Sequence, residues 1–413
     1  MSKNRKFDIV VWGASGFTGR LVCEYLVDKY GLGESSNFEW AIAGRNREKL
    51  ERIQRELTAK HSHELPILIG NSFDIESIKT ITSSTKVILT TVGPYLKYGI
   101  TLVDACIQTQ THYCDLTGEV PFIHQTIQQY QENARAAQVK IVHSCGFDSV
   151  PSDLGVMMLQ KKVLQEVSSP LKRVRLYVKK IKGGVSGGTI SSMLEIMKNA
   201  KDRSIRKILN NPYSLYPKEL SSGPKQPDLK SIKWDETVNQ WVGPFIMSRF
   251  NSAIVRRTNA LLNFIYGQDF IYDEVSTYPK KSFSKLRAEL NRIGLGILVT
   301  LLYFSFTRWF LKNTILPKPG EGPSKQKREE GLFKLVLIGL TNGKQHKVTV
   351  SCKSDPGYSG TALMIAESAL CLAINTKILP EHYGILTPAV AMGNSLIERL
   401  QNAGMEFKYT DKL

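Results

Sequence analysis

Residues 7–20 read FDIVVWGASGFTGR. An apolar run, Phe7 to Trp12, leads straight into glycines at 13, 16 and 19, and Leu21, Val22, Tyr25 and Leu26 then recur at helical spacing. The pattern predicts a strand, a tight turn and a helix start. Glycines at that junction suit a dinucleotide, because a pyrophosphate must approach backbone N–H groups and the positive helix end with no side chain in the way. Gly13, Ala14, Ser15, Gly16, Phe17, Thr18 and Gly19 are therefore candidate cofactor residues. The structural alternative is a bare strand-to-helix connection, against which the flanking strand and helix weigh.

The next 130 residues repeat the strand–helix alternation. Strands are expected at 39–43, 66–69, 86–91, 111–115 and 140–143, with helices at 17–29, 47–58, 75–81, 99–108 and 121–137. Such alternation implies right-handed crossovers and a doubly wound parallel sheet, whose strand ends line a ligand crevice. The second strand runs into Arg45, where an NAD site would carry an acidic residue for the ribose; an arginine suits a 2′-phosphate and points to NADP. Arg47 and Lys49 are possible helpers, or the three are solvated helix-start residues. The fourth strand ends in Val92, Gly93 and Pro94, a sharp exit beside the expected cofactor, followed by Tyr95. The fifth and sixth end in the polar clusters Asp115–Glu119 and Ser144–Asp153. Each cluster also has a plain structural reading, Asp153 or Ser152 as an N-cap for a helix at 154–165 and Asp115 and Asp148 as acceptors for loop N–H groups.

Charge is informative only once located. Residues 161–345 hold 33 Lys and Arg against 14 Asp and Glu, whereas the remainder is balanced. Within that basic stretch, residues 293–307 (IGLGILVTLLYFSFT) carry no charge, with Lys285, Arg287 and Arg292 before them and Arg308 and Lys312 after. Fifteen residues fall short of the about 20 that cross a bilayer. A buried core helix would show one polar face; here nearly every position is apolar, which favours a segment, 293–311, lying in a membrane or lipid-droplet surface. Burial, or contact with a second copy in a homodimer, is the alternative. No aromatic-interleaved groove or known motif speaks for nucleic acid.

The six cysteines show no paired spacing, so neither a disulfide framework nor a metal site is expected. With no apolar leader after MSKNRK, the expected location is intracellular, on a membrane or lipid-droplet surface. The middle segment further predicts a half-exposed strand at 172–181, a glycine-rich loop at 183–189 opening a helix at 190–209, an exposed loop at 211–233, a strand at 268–278 and a polar linker at 316–331. That glycine-rich loop can hold an anionic or carbonyl group, or be a flexible turn. Two strands around Asn342-Gly343 form a hairpin, and helices at 359–374 and 395–402 close the chain.

GASGFTGR, AIAGRN, VGPY, CDLTGE and GFDSVPSDLG occur in an order and spacing that resembles the saccharopine dehydrogenase-like oxidoreductases, a group that includes mycobacterial trans-acting enoyl reductases. The likeness is specific over 7–160, loose in the middle, and resumes at GILTPAVAMGNSLIERLQNAGMEF. It implies a Rossmann-type sheet at 1–153, an inserted mixed α/β domain at 154–353 and C-terminal helices at 354–413 that return to the first domain. It also implies an NADP-dependent reductase of a lipid-like enoyl or keto substrate, and it gives the Gly-Gly-Thr element a place near that substrate. Among the strand-end groups, Asp148 is chosen as the substrate-side polar group, Tyr95 as proton donor and Glu119 as a third catalytic candidate; Cys145 reads as packing. The one Tyr-x-x-x-Lys spacing, Tyr25 and Lys29, lies on the first helix away from the strand ends. Two alternatives stay open: a non-catalytic NADP-binding scaffold or sensor, and a soluble saccharopine-type dehydrogenase.

Overall fold

The computed structural model describes residues 5–33, 36–59, 63–184, 187–199, 201–220, 222–280, 282–314, 322–341 and 343–412. Strands β1 (Phe7–Trp12), β2 (Trp40–Gly44), β3 (Ile67–Ile69), β4 (Thr85–Thr90), β5 (His112–Asp115) and β6 (Lys140–Val142) alternate with helices. Those helices are α1 (Phe17–Tyr30), α2 (Arg47–Thr58), α3 (Ile75–Ser83), α4 (Tyr95–Tyr98), α5 (Ile100–Thr109) and α6 (Val120–Ala136). Then come α7 (Val150–Val167), β7 (Arg173–Lys182), α8 (Gly187–Asn199), α9 (Arg203–Asn210), β8 (Lys233–Asp235), β9 (Gln240–Pro244), α10 (Ser248–Leu261) and β10 (Ile271–Tyr278). The chain continues through α11 (Ser284–Tyr303), α12 (Ser305–Thr314), α13 (Lys325–Glu329), β11 (Leu332–Thr341) and β12 (Lys344–Cys352). It closes with α14 (Ser359–Ile374), β13 (Gly384–Leu386), α15 (Pro388–Asn402) and β14 (Glu406–Lys412).

The first sheet is parallel throughout, in the order β3-β2-β1-β4-β5-β6-β13. The chain reverses its winding between β1 and β4, which opens a crevice at their carboxyl ends. The second sheet runs β14-β12-β11-β7-β10-β9-β8, parallel only where β7 meets β10. A Rossmann-type sheet is thus joined to a mixed sheet, and the C-terminal segment serves both, β13 extending the first and β14 the second.

One hydrophobic core links the two layers, running from Ile9 and Val11 through Leu154 to Leu337 and Val350. Helix α14 is buried on every face from Ala362 to Ala373, which explains its lack of a polar stripe. Glu367 on that helix is the polar rivet: its carboxylate accepts from Tyr25 and Tyr30 of α1 and from Arg399 Nε of α15 at 2.9 Å. Lys29 donates to the Asn402 carbonyl at 3.0 Å. The Tyr25–Lys29 pair is therefore a scaffold contact between helices.

Several local expectations change. Helix α7 starts at Val150, ahead of both proposed caps, and Ser149 occupies the N-cap position. Asp153 instead accepts from Thr258 and from the Ala389 N–H at 2.8 Å, capping α15, while Ser152 donates to Glu274 at 2.7 Å. The helix expected at 190–209 is two helices, the second capped by Asp202 accepting from the Ser204 N–H at 2.7 Å. The strand at 172–181 is exposed at Arg173 and towards its C-terminal end but buried from Leu176 to Val178, because β7 is a central strand. Asn342 and residues 316–321 of the expected linker lie outside the described residues, and the rest of that linker holds the short helix α13; Gly343 has φ +81°.

Candidate functional site

The glycine turn between β1 and α1 excludes side chains by contact. Gly13 has φ +93°, and a Cβ there would lie 2.5 Å from Val92 Cγ2; one on Gly19 would lie 2.2 Å from the Gly13 carbonyl oxygen. Gly16 is different, since its Cβ would approach only the Gly13 oxygen, at 3.3 Å, and otherwise point into open space. Ala14 is buried beneath the turn, Ser15 and Gly16 are exposed on it, and Phe17 and Thr18 are half-buried. No side chain caps α1 and its first turn holds no acidic residue, so its leading N–H groups and positive end face the crevice unopposed. These features fit a dinucleotide pyrophosphate. Val92, Gly93 and Pro94 leave β4 alongside, where Thr91 Oγ1 reaches the Gly13 carbonyl at 3.4 Å.

Arg45 emerges exposed from the end of β2 and makes no ion pair among the described residues. Its neighbours are engaged: Asn46 caps α2 by accepting from the Lys49 N–H at 2.9 Å, and Arg47 faces Glu51 at 3.8 Å. Among the described residues Arg45 is thus available at that strand end, as is the Lys49 ammonium, since only the backbone N–H of that residue is engaged.

From the nucleotide turn a cleft of about 320 Å³ runs between the ends of β4, β5 and β6 and the second sheet's domain. Thr18 and Thr91 border it at one end, Asp148 and Phe147 lie along it, and Met193 and Ile246 belong to the opposite wall. Its described lining contains no Lys, Arg or His.

The polar groups along this cleft are unequal. After β5, Asp115 is fully bonded: it accepts from the N–H groups of Thr117 and Ser144 at 3.0 and 2.9 Å and from the Tyr113 hydroxyl at 2.9 Å, and His143 Nδ1 lies 2.7 Å away. Glu119 accepts from the Tyr95 and Leu96 N–H groups, both at 2.9 Å, and from Ser192 Oγ at 2.6 Å. Burial raises the Glu119 carboxyl above its usual range while these bonds pull it back. The Tyr95 ring lines the cleft, but its hydroxyl donates to the Thr90 carbonyl at 3.3 Å and accepts from the Leu116 N–H at 3.2 Å. Burial, then the nearby Asp115 charge, push that phenol well above its ordinary value.

After β6 the pattern inverts. Cys145 is buried with its thiol against the Val142 carbonyl at 3.6 Å, and Ser149 Oγ donates to the Asp148 backbone carbonyl at 2.6 Å. The Asp148 carboxyl itself lines the cleft, half-buried, with no hydrogen-bond or ionic partner among the described residues. Burial alone pushes it up to about 6.

The opposite wall brings residues that the sequence did not single out. Ser192, Met193 and Ile196 come from α8, and Phe245, Ile246 and Met247 precede α10. The only signal for the first group was the glycine-rich loop ahead of α8. Gly183 and Gly184 do line the cleft, while Val185 and Ser186 lie outside the described residues. Asp355 fixes this loop, accepting from the Gly184 N–H at 3.0 Å and the Tyr358 N–H at 2.7 Å.

The uncharged segment at 293–307 spans α11 and the start of α12. Leu290 (60%), Ile297 (55%), Phe304 (57%), Phe306 (76%) and Trp309 (63%) are all exposed. It is not a core helix. Among the described residues no helix is long and apolar enough to cross a membrane.

Comparison with known proteins agrees with this architecture. The family model for the saccharopine dehydrogenase NADP-binding domain matches residues 9–142. A Mycobacterium tuberculosis protein named as a candidate trans-acting enoyl reductase is 37% identical over 418 residues, 98% of each chain. The trans-acting enoyl reductase of Mycobacterium bovis is 34% identical over 417 residues, 97% of each chain. Apo saccharopine dehydrogenase (L-Glu forming) from Saccharomyces cerevisiae has the same fold, with a TM-score of 0.52 over 98% of this chain and 100% of that chain at 11% identity. The chain belongs to the saccharopine dehydrogenase-like oxidoreductase family, alongside the trans-acting enoyl reductases, and its first domain is an NADP(H)-binding domain.

Proposed function

We propose that this protein is an NADPH-dependent reductase of a lipid-like substrate, an enoyl or keto group on an apolar chain, working at a membrane or lipid-droplet surface. The observation that carries the reading is the Asp148 carboxyl: unpartnered, raised to about 6, and facing an apolar cleft that begins at the nucleotide turn. When bound, the cofactor supplies hydride. Asp148 then supplies the proton that balances it at the substrate's carbon or oxygen, a task for which a carboxyl held partly neutral near neutral pH is suited. Glu119 and Tyr95 act through position: Glu119 holds the exit of β4 by two backbone N–H groups, and Tyr95 ties that exit to Leu116.

A saccharopine-like substrate carries several carboxylates and calls for cationic partners, which the described lining of the cleft lacks. An apolar chain suits Met193, Ile196 and Ile246 better. For the surface, α11 is about 30 Å of helix with exposed apolar residues, and Lys285 and Arg287 are exposed at its start. An apolar element beside basic residues matches an anionic lipid interface.

The test is NADPH consumption by purified protein with a lipid extract of its own source cells, with NADH and heat-killed protein as controls. Lipid-dependent oxidation of NADPH is expected, and Asp148→Asn should slow it by about 100-fold or more. Tight NADPH binding with no consumption by any extract would put the scaffold or sensor reading ahead. Deleting 293–307 should release the protein from anionic vesicles; unchanged sedimentation would remove the lipid-surface part of the proposal.

A further inference from the structure

The second domain reaches back to the nucleotide turn. Gly322 abuts the Phe17 ring so closely that a Cβ on it would lie 2.4 Å from Phe17 Cε1. Tyr358 meets the same ring edge-on with centroids 5.0 Å apart. Over the ring lies Arg328, its guanidinium carbon 5.5 Å from the Phe17 centroid. Phe17 is the first residue of α1, the turn whose free N–H groups await an anion. A cation from a distant part of the chain is therefore held beside the phosphate-binding end of that helix.

Arg328 is fixed there by its surroundings. Its Nη1 donates to the Pro323 carbonyl at 2.8 Å, and its own carbonyl accepts from Gly331 at 3.1 Å and Asp355 at 3.2 Å. The nearest acid to influence it, Asp355, spends its two oxygens on the Gly184 and Tyr358 N–H groups. Among the described residues Arg328 has no ion pair, and a guanidinium has five N–H donors, of which one is spoken for here. By contrast Lys325, one turn away, faces Glu329 at 3.9 Å, and Lys327 is exposed. A fixed, half-buried arginine without a carboxylate, beside an uncapped helix start, is a phosphate ligand in waiting.

We propose that Arg328 is a cofactor-binding residue contributed by the second domain, its guanidinium pairing with the pyrophosphate of NADP(H) held at the start of α1. The role differs from that of Arg45, which stands at the end of β2 where the 2′-phosphate belongs. It rests on cofactor binding alone and is independent of which substrate is reduced. It also couples two sites, because the Arg328 and Asp355 backbones are bonded to each other and Asp355 holds Gly184 in the cleft wall.

The experiment is equilibrium binding of NADPH and of NADH, read by nucleotide fluorescence without any substrate. Arg328→Gln should weaken both nucleotides by the same factor, about 10- to 100-fold, the loss of one charge-assisted contact. It should also flatten the dependence of Kd on salt. Arg45→Gln should weaken NADPH selectively, Arg328→Lys should recover part of the affinity, and Lys327→Gln should bind as wild type. Wild-type affinity of Arg328→Gln for both nucleotides would overturn the proposal, as would a loss confined to NADPH. Should Arg328→Gln fail to fold, limited trypsin digestion of the wild-type protein decides. NADPH is expected to slow cleavage after Arg328, and equal rates with and without it would overturn the assignment.

Discussion

The loops that follow β5 and β6 leave neighbouring strands of one sheet, reach the same cleft, and use their carboxylates in opposite ways. After β5, Asp115 and Glu119 receive every donor within reach, seven contacts between them, and lock the loop and the exit of β4. After β6, Asp148 receives none among the described residues and faces the cleft. Proximity to a site is therefore a poor guide to a chemical role. A carboxylate held by three or four donors is fixed in place with little acceptor capacity left for substrate, while a carboxyl without such donors in an apolar cleft carries a desolvation cost that marks a candidate functional group. On the proposed function, the first loop builds the site and the second acts in it.

The largest expected effect of that difference is on turnover. Asp148→Asn should lower kcat by about 100-fold or more, with the NADPH Kd unchanged. The same variant should be more stable than wild type above pH 6. The carboxyl is raised to about 6 in the folded chain, so the native state binds more protons than the unfolded state between about pH 4 and 6, and stability falls as pH rises through that window. Removing the charge returns about 1–2 kcal/mol after discounting for solvent in the cleft, readable as a higher Tm at pH 8. Wild-type kcat/KM should decline as pH rises through about 6, because the proton donor is lost, and the residual rate of the variant should not follow that limb. A wild-type rate that climbs with pH over this range would break the assignment.

Glu119→Gln should do the reverse. The amide turns one acceptor into a donor facing a backbone N–H or the Ser192 hydroxyl, leaving a buried group unsatisfied at about 1–3 kcal/mol. Tm should fall by several degrees, while kcat per folded molecule stays within a few-fold of wild type. Loss of turnover at unchanged Tm would place Glu119 in the chemistry and reverse the comparison.

Much of the first domain is legible because its constraints are local. The apolar strands, the glycines that a Cβ would clash with, and the strand ends at Arg45, Val92 and Asp148 each follow from residues within a few positions. What escapes depends on partners far along the chain. Residues 234–267 carry no readable pattern, since α10 is buried on every face and takes Arg256, Arg257, Asn251 and Asn259 into the interior alongside Phe250, Ile254 and Val255. Arg257 donates there through Nη1 and Nη2 to the Leu215 and Ile385 carbonyls and to Gln131, while its buried Nε has no partner among the described residues. Strand β13 has three residues and exists because β6 offers it an edge. At the site, only their hydrogen bonds separate Glu119 from Asp148, for both are acids just past a strand. Likewise Arg328 in a polar linker gives no hint that it returns to Phe17. The 293–307 segment stood out through composition, while its exposure had to come from the packing around it.

The smallest effect should sharpen the comparison most. Ser192 belongs to α8 in the second domain and donates to Glu119 at 2.6 Å, so it hands the β5 loop's order across the cleft. Ser192→Ala removes that donor but leaves Glu119 both backbone N–H groups, and cleft water can take the vacated lone pair. The stability cost should be no more than about 1 kcal/mol. If the β5 loop only builds the site, the cost appears as a looser opposite wall: KM for the apolar substrate rises a few-fold, kcat holds, and the pH limb set by Asp148 does not move. A shift of that limb would mean that the two loops titrate together and that their division of labour is less complete than their hydrogen bonds indicate.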